Sequence, residues 1–181
     1  ASKGEIICRM DADDIWVQGR RNYVSFFFSN KANQKTVLFG SYHIFNERQK
    51  VKRKPTDRIL KKPDVIQLLL YGDFLHPTMN ILRSNMRDYN PDLCGIEDIF
   101  LYSSFLKSGL TLYKSENIFL EYYREDRKYN LKARYILQMR FSGKLRTMYS
   151  AWVVLSVQIL FTLAFLFKSI GLYKKDSKLK T

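Results

Sequence analysis

Three carboxylates fall within four positions of the stretch Arg9–Ile15, "RMDADDI". Asp11 and Asp13 form an Asp-x-Asp pair, and Asp14 follows directly. Hard divalent cations such as Mg2+ and Mn2+ prefer carboxylate oxygens and keep water or phosphate at their other positions, so the pair fits a metal–phosphate site. The same residues also fit a helix start, where Asp satisfies free N–H groups and the helix dipole. A second acidic pair, Glu97-Asp98, stands inside the apolar run "CGIEDIFLY". It too has two readings, first-turn residues of a helix or a carboxylate acting as general base. His76, in "FLHPTMNILR", fits a ligand, an acceptor-pocket residue or a turn.

The elements that must position these groups follow from the patterning. Glu5 to Met10 is an apolar-rich run that predicts a buried strand ending at the acidic cluster. In an α/β sheet, ligands bind at the carboxyl ends of strands. Ile15 to Asn30 has apolar residues at Val17, Val24, Phe27 and Phe28 and predicts a helix, with Gly19 weakening its start. Thr36 to Phe45 is β-branched and aromatic and predicts a strand. Lys50 to Lys62 carries seven Lys/Arg, one Asp and Pro55, and reads as an exposed basic loop. A short helix is expected over Pro63 to Tyr71, then a turn and strand through "DFLHPTMNILRS". Ile96 to Ser108 has helical spacing and stops at Gly109. "LTLYKSENIFLEYYR" reads as paired strands.

The chain has 181 residues, enough for one domain with a real core. Lys plus Arg number 31 against 17 Asp plus Glu, a formal charge of +14, which favours a polyanionic partner: nucleic acid, an anionic membrane surface or a phosphate-bearing substrate. With 13 Phe and 12 Tyr it is not a disordered basic tail. Two cysteines, Cys8 and Cys94, are too few for a disulfide framework and read as small buried apolar filler.

After residue 125, basic and apolar residues mix in "EDRKYNLKARYILQMRFSGKLRTMYS", the pattern of an amphipathic helix. Ala151 to Phe167 then runs 17 residues without a charge, closed by Lys168. Roughly 20 apolar residues span a bilayer, with about 17 the lower limit. Ser156, Gln158 and Thr162 weaken the signal, and basic residues flank the run on both sides, which suits a helix lying in the interface as well as one that spans.

In order along the chain, several blocks resemble the catalytic core of family 2 glycosyltransferases, the bacterial enzymes of capsule, lipopolysaccharide and exopolysaccharide assembly. "SKGEIICRMDADDI" is similar to the family's helix tail, Gly, strand and Asp-x-Asp block. "VLFGSYHIFNERQKV" continues the resemblance, and "LHPTMNILRS" is similar to its His-Pro-Thr segment. "YNPDLCGIEDIFLYSSFLKSG" is similar to its Tyr, Glu-Asp, Leu and Gly pattern, and "IFLEYYR" to its closing Tyr-Arg. The blocks run from about residue 2 to residue 124. Arg87-Asp88 stands where Gly-Gly is common, Gln18 where Pro is common, and Tyr102 and Ser104 where Trp and Arg are common.

This resemblance implies an α/β fold: the C-terminal half of a GT-A (Rossmann-like) domain with a mixed sheet, followed by a C-terminal membrane-associated helix. The two β-α units that precede the Asp-x-Asp block in the family, something like ~60–90 residues, would hold most of the nucleotide site. Without them the 181-residue chain is expected to be inactive alone. The implied segments are 1–127 for the partial catalytic domain, 128–148 for a basic amphipathic stretch, 149–173 for a membrane-associated or transmembrane helix and 174–181 for a basic tail. By the same resemblance, Asp13 and Asp11 hold Mg2+ or Mn2+ on the sugar-nucleotide diphosphate, leaving Asp14 to the helix. Asp98, with Glu97 beside it, is the base of an inverting reaction. His76 and Tyr89 lie on the acceptor side.

The implied partners are a nucleotide-sugar donor, a glycan or lipid-linked acceptor and the membrane, at the cytoplasmic face of the bacterial inner membrane. No nucleic-acid fold motif accompanies the charge, so nucleic acid is not an expected partner. A basic nucleic-acid-binding module and a membrane-anchored interaction protein, its acidic pairs mere caps, are the competing classes.

Overall fold

The computed structural model describes residues 3–45, 50–52, 58–60, 68, 74–89, 97–123, 136, 139, 142–146 and 149–169. The chain divides into two compact units, Ala1–Asp126 and Arg127–Thr181.

The first unit is mixed α/β. Its strands are β1 (Ile6–Cys8), β2 (Ile15–Trp16), β3 (Thr36–Phe45), β4 (Lys50–Lys52), β5 (Arg58–Leu60), β6 (Asn80–Leu82) and β7 (Thr111–Tyr123). Its helices are α1 (Arg20–Ser29) and α2 (Glu97–Lys107). The sheet runs β1-β6-β3-β7-β2, with β4 on β3 and β5 on β7. β3 and β7 pair in parallel, and the other pairings are antiparallel.

The period-2 alternation of β3 builds a core on both faces. Val37 and Phe39 join Leu101, Tyr102, Phe105 and Leu106 of α2, with Met79, Ile81 and Leu112. Leu38, between them, joins Val24 and Phe28 of α1 and Phe119 of β7. Gly40 is where β3 and β7 come too close for a side chain: a Cβ there would run into the Phe119 ring. The β3–β7 register shifts at the same point, between Phe39 and Ser41.

Several sequence expectations change. Ile15–Trp16 is not the first turn of a helix but an edge strand paired with Glu121 and Leu120 of β7. The helix waits for Gly19, whose φ of 91° only glycine adopts cheaply. The basic stretch Lys50–Lys62 is not all loop, since β4 and β5 lie within it as short strands rich in Lys and Arg, a composition that discourages further strand pairing. "LTLYKSENIFLEYYR" yields one strand of 13 residues rather than a pair, because its three partner strands, β2, β3 and β5, come from elsewhere. The helix expected over Pro63–Tyr71 lies outside the described residues except at Leu68, which is helical and buried. α2 does end at Gly109 (φ 82°), where Leu110 N–H bonds Phe105 O at 3.0 Å and Gly109 N–H bonds Leu106 O at 3.1 Å.

In the second unit, α3 covers Ala151–Ser169. Trp152, Leu155, Ile159, Leu163 and Leu166 are exposed at helical spacing, while Val154 and Val157 are buried. Ser156 and Thr162 turn their hydroxyls onto the Trp152 and Gln158 carbonyls, each 2.9 Å away. A spanning helix was one expectation for 149–173. Among the described residues no helix is long and apolar enough to cross a membrane. The 19 residues of α3 rise about 28 Å, against a hydrocarbon core of about 30 Å.

Candidate functional site

The ladder between β1 and β6 extends one residue beyond β1, where Arg9 N–H donates to Met79 O at 2.8 Å. The chain then turns, with Asp14 N–H 3.4 Å from Asp11 O. This turn gathers Asp11, Asp13 and Asp14, each offering an oxygen within 4.8 Å of the others. Asp11 is partly exposed, Asp13 exposed and Asp14 buried. Three carboxylates are the hard donor set that Mg2+ or Mn2+ takes. Metal–oxygen bonds of ~2.1 Å put neighbouring ligands about 3 Å apart and opposite ones about 4.2 Å, so the three oxygens would draw closer together to share one ion. Arg9 already holds Asp11 at 2.7 Å across a half-exposed pair.

Capping does not account for this cluster. α1 has no acidic residue in its first turn, and its N-cap is Gly19. Asp14, expected to serve the helix start, is 6% exposed and its charge acts on Arg20.

Arg20 was not singled out by the sequence. It is 1% exposed and saturated with acceptors. Nη2 donates to Arg9 O (2.9 Å) and Asn80 Oδ1 (3.1 Å), and Nη1 to Pro77 O (3.2 Å). Trp16 lies beneath its guanidinium at 4.2 Å, with Phe119 at 5.4 Å. Burial lowers its pKa to about 10, against the pull of Cys8 and Asp14, so it stays cationic at neutral pH. It ties the Asp-x-Asp turn to the His-Pro-Thr segment. A signal was available: Arg20 shares the i, i+4, i+8 stripe of Val24 and Phe28, both buried.

His76 opens a 3-10 turn, His76–Thr78, ahead of β6. Its Nε2 lies 2.7 Å from the Tyr89 hydroxyl and its Nδ1 3.4 Å from that of Tyr102. Glu97 and Asp98 do occupy the first turn of α2, and Asp98 Oδ1 accepts from Ile99 N–H at 2.8 Å. They nonetheless act on the same imidazole. The His76 pKa is lowered first by burial; Asp98, Asp11 and Glu97 oppose that shift and Arg9 adds to it. Burial raises Asp98 above the ordinary carboxylate value, partly offset by the Ile99 N–H and His76. A carboxylate raised in this way is a stronger base at neutral pH. Burial raises the Tyr89 pKa, and the nearby Arg9 charge opposes that shift. Glu97 Oε2 is buried without a hydrogen-bond partner among the described residues.

Stretches 76–89 and 97–102 thus meet at His76, and stretch 9–14 lies against the first of them through the bond from Arg9 N–H to Met79 O. Cys8 is half-buried against the α1-side core, as the filler reading expects, and Cys94 lies outside the described residues. No family model and no curated protein matches the chain.

Proposed function

We propose that the chain carries the metal and base side of a metal-dependent, inverting glycosyltransferase. It would move a sugar from a nucleotide-sugar to a hydroxyl of a glycan or lipid-linked acceptor, in the synthesis of bacterial cell-surface polysaccharide. The observation that supports this most is the gathering of the Asp11, Asp13 and Asp14 carboxylates at the turn just past β1, a donor set that a divalent cation takes. Asp11 and Asp13 would hold Mg2+ or Mn2+, which when bound supplies positive charge for a departing nucleoside diphosphate. Asp98 accepts the proton of the acceptor hydroxyl as that oxygen attacks the anomeric carbon. His76 and Tyr89 orient that hydroxyl.

Asp13→Ala and Asp98→Asn, each made in the full-length protein, test the reading. Each should cut sugar transfer at least ~100-fold, and chelation should abolish it in the wild type. Wild-type transfer in both variants would discard the proposal.

The reading extends to location, at the cytoplasmic face of the inner membrane. The exposed apolar stripe of α3, with Lys144 and Arg146 before it in sequence and Lys168, Lys174 and Lys175 at and after its end, suits a helix lying on an anionic surface. Flotation with anionic vesicles should be lost in Trp152→Glu. Unchanged flotation in that variant would remove α3 from the account.

A further inference from the structure

A run of hydrogen bonds crosses the candidate site, and its proton positions follow from its buried end. The Phe74 carbonyl can only accept, so the 3.1 Å bond to it uses the single proton of the Tyr102 hydroxyl. Tyr102 Oη also lies 3.4 Å from His76 Nδ1. With its proton committed, the oxygen can only accept there, and Nδ1 carries the hydrogen. A neutral imidazole has one N–H, and burial favours the neutral form of His76. Nε2 therefore presents a lone pair, and the Tyr89 hydroxyl 2.7 Å away is the donor to it. Every link points the same way, from Tyr89 through His76 and Tyr102 to the Phe74 carbonyl.

We infer that Tyr102 is a positioning residue that fixes His76 as the Nδ1–H tautomer, leaving the Nε2 lone pair to receive a substrate hydroxyl. Tyr102 is 3% exposed, and its ring packs edge-on against Phe39 and Phe74, with centroids 5.0 and 6.5 Å away. Its hydroxyl cannot swing to another acceptor without moving that core. Tyr89 is 38% exposed. Its phenol stands at the lone pair and shows the class of group the nitrogen receives: an O–H donor, as every free position of a sugar ring is. Trp, common at the Tyr102 position in the family the chain resembles, would present an N–H that only donates and could not accept from Nδ1–H. Only the identity of the incoming hydroxyl rests on the glycosyltransferase reading; the tautomer does not.

The test is nitrogen NMR of the full-length protein labelled with 15N in its histidine rings, at about pH 8, where an imidazole of ordinary or lowered pKa is neutral. The His76 resonances are those lost in His76→Gln. In the wild type, Nδ1 should be of the protonated type and Nε2 of the bare type. Tyr102→Phe, which removes one buried oxygen, should lose that pattern and populate Nε2–H, whereas Tyr89→Phe should keep it. Nε2–H as the main wild-type form overturns the inference, and so does an unchanged pattern in a folded Tyr102→Phe. The wild-type spectrum decides the point where that variant does not fold. Sugar transfer is assayed separately: transfer with the opposite tautomer overturns this inference alone, and the expected tautomer without transfer overturns only the glycosyltransferase reading.

Discussion

Two arginines stand at either end of one hydrogen bond, Arg20 Nη2 to Arg9 O, in opposite surroundings. Arg20 is 1% exposed, stacked on Trp16 and bonded to acceptors from two stretches of chain. The Arg9 side chain is 40% exposed and paired with Asp11, and its charge acts on Tyr89. The first charge is committed to structure. The second is shared between the residue expected to hold a cation and the residue expected to meet an acceptor, and it can be given up by either. A buried, fully satisfied cation fixes geometry, whereas a half-exposed one leaves room for a ligand to compete.

That difference can be broken by substitution. The largest effect is expected from Arg20→Ala, which leaves Asn80 Oδ1 and two backbone carbonyls without their donor. It should cost about 3–5 kcal/mol, read from the urea midpoint. A midpoint within error of the wild type would show that the two arginines do not differ as described. Arg9→Ala should cost less than about 1 kcal/mol, because its pair with Asp11 is solvent-screened. The same substitution removes a cation competing for Asp11, so Mn2+ measured calorimetrically should bind up to about fivefold tighter. Weaker binding would make Arg9 a supporter of the metal turn rather than its competitor.

The smallest effect is a matter of pH. The folded chain holds the Asp98 proton more tightly than the unfolded chain, whose ordinary value is 3.8. Below 3.8 both states are protonated and Asp98 has no effect, while above its raised folded value the full penalty applies. Asp98→Asn keeps an oxygen for the Ile99 N–H and removes the charge. It should therefore stabilise the protein by about 0.5–1 kcal/mol at pH 7 and leave it unchanged near pH 3. Equal gains at both values would show that the charge is not the cause.

What could be read from the sequence divides along the same line. β3 matches its expected limits at Thr36 and Phe45, and α2 falls within one residue of its own at each end, because each carries its own period and its own stop. The placing of carboxylates just past β1 was legible for the same reason. β2 was not: Ile15–Trp16 is a strand only because residues 120 and 121 of β7 lie beside it, a fact no local window contains. Arg20 was not singled out because a charged side chain reads as exposed until its acceptors are known, and these lie at residues 9, 77 and 80. The Tyr102–His76–Tyr89 link likewise joins residues 26 and 13 positions apart, which spacing alone does not bring together.

The parallel pairing of β3 with β7 also sets a clock on synthesis. Thr36 is in register with Thr111, a separation of 75 residues (111 − 36). At about 5–20 residues per second, the ribosome leaves the Val37–Phe39 strand without its long neighbour for roughly 4–15 s. Both faces of that strand are apolar, so nascent chains ending before Thr111 should be captured by a chaperone that binds exposed apolar segments, and chains that extend past Tyr123 should not.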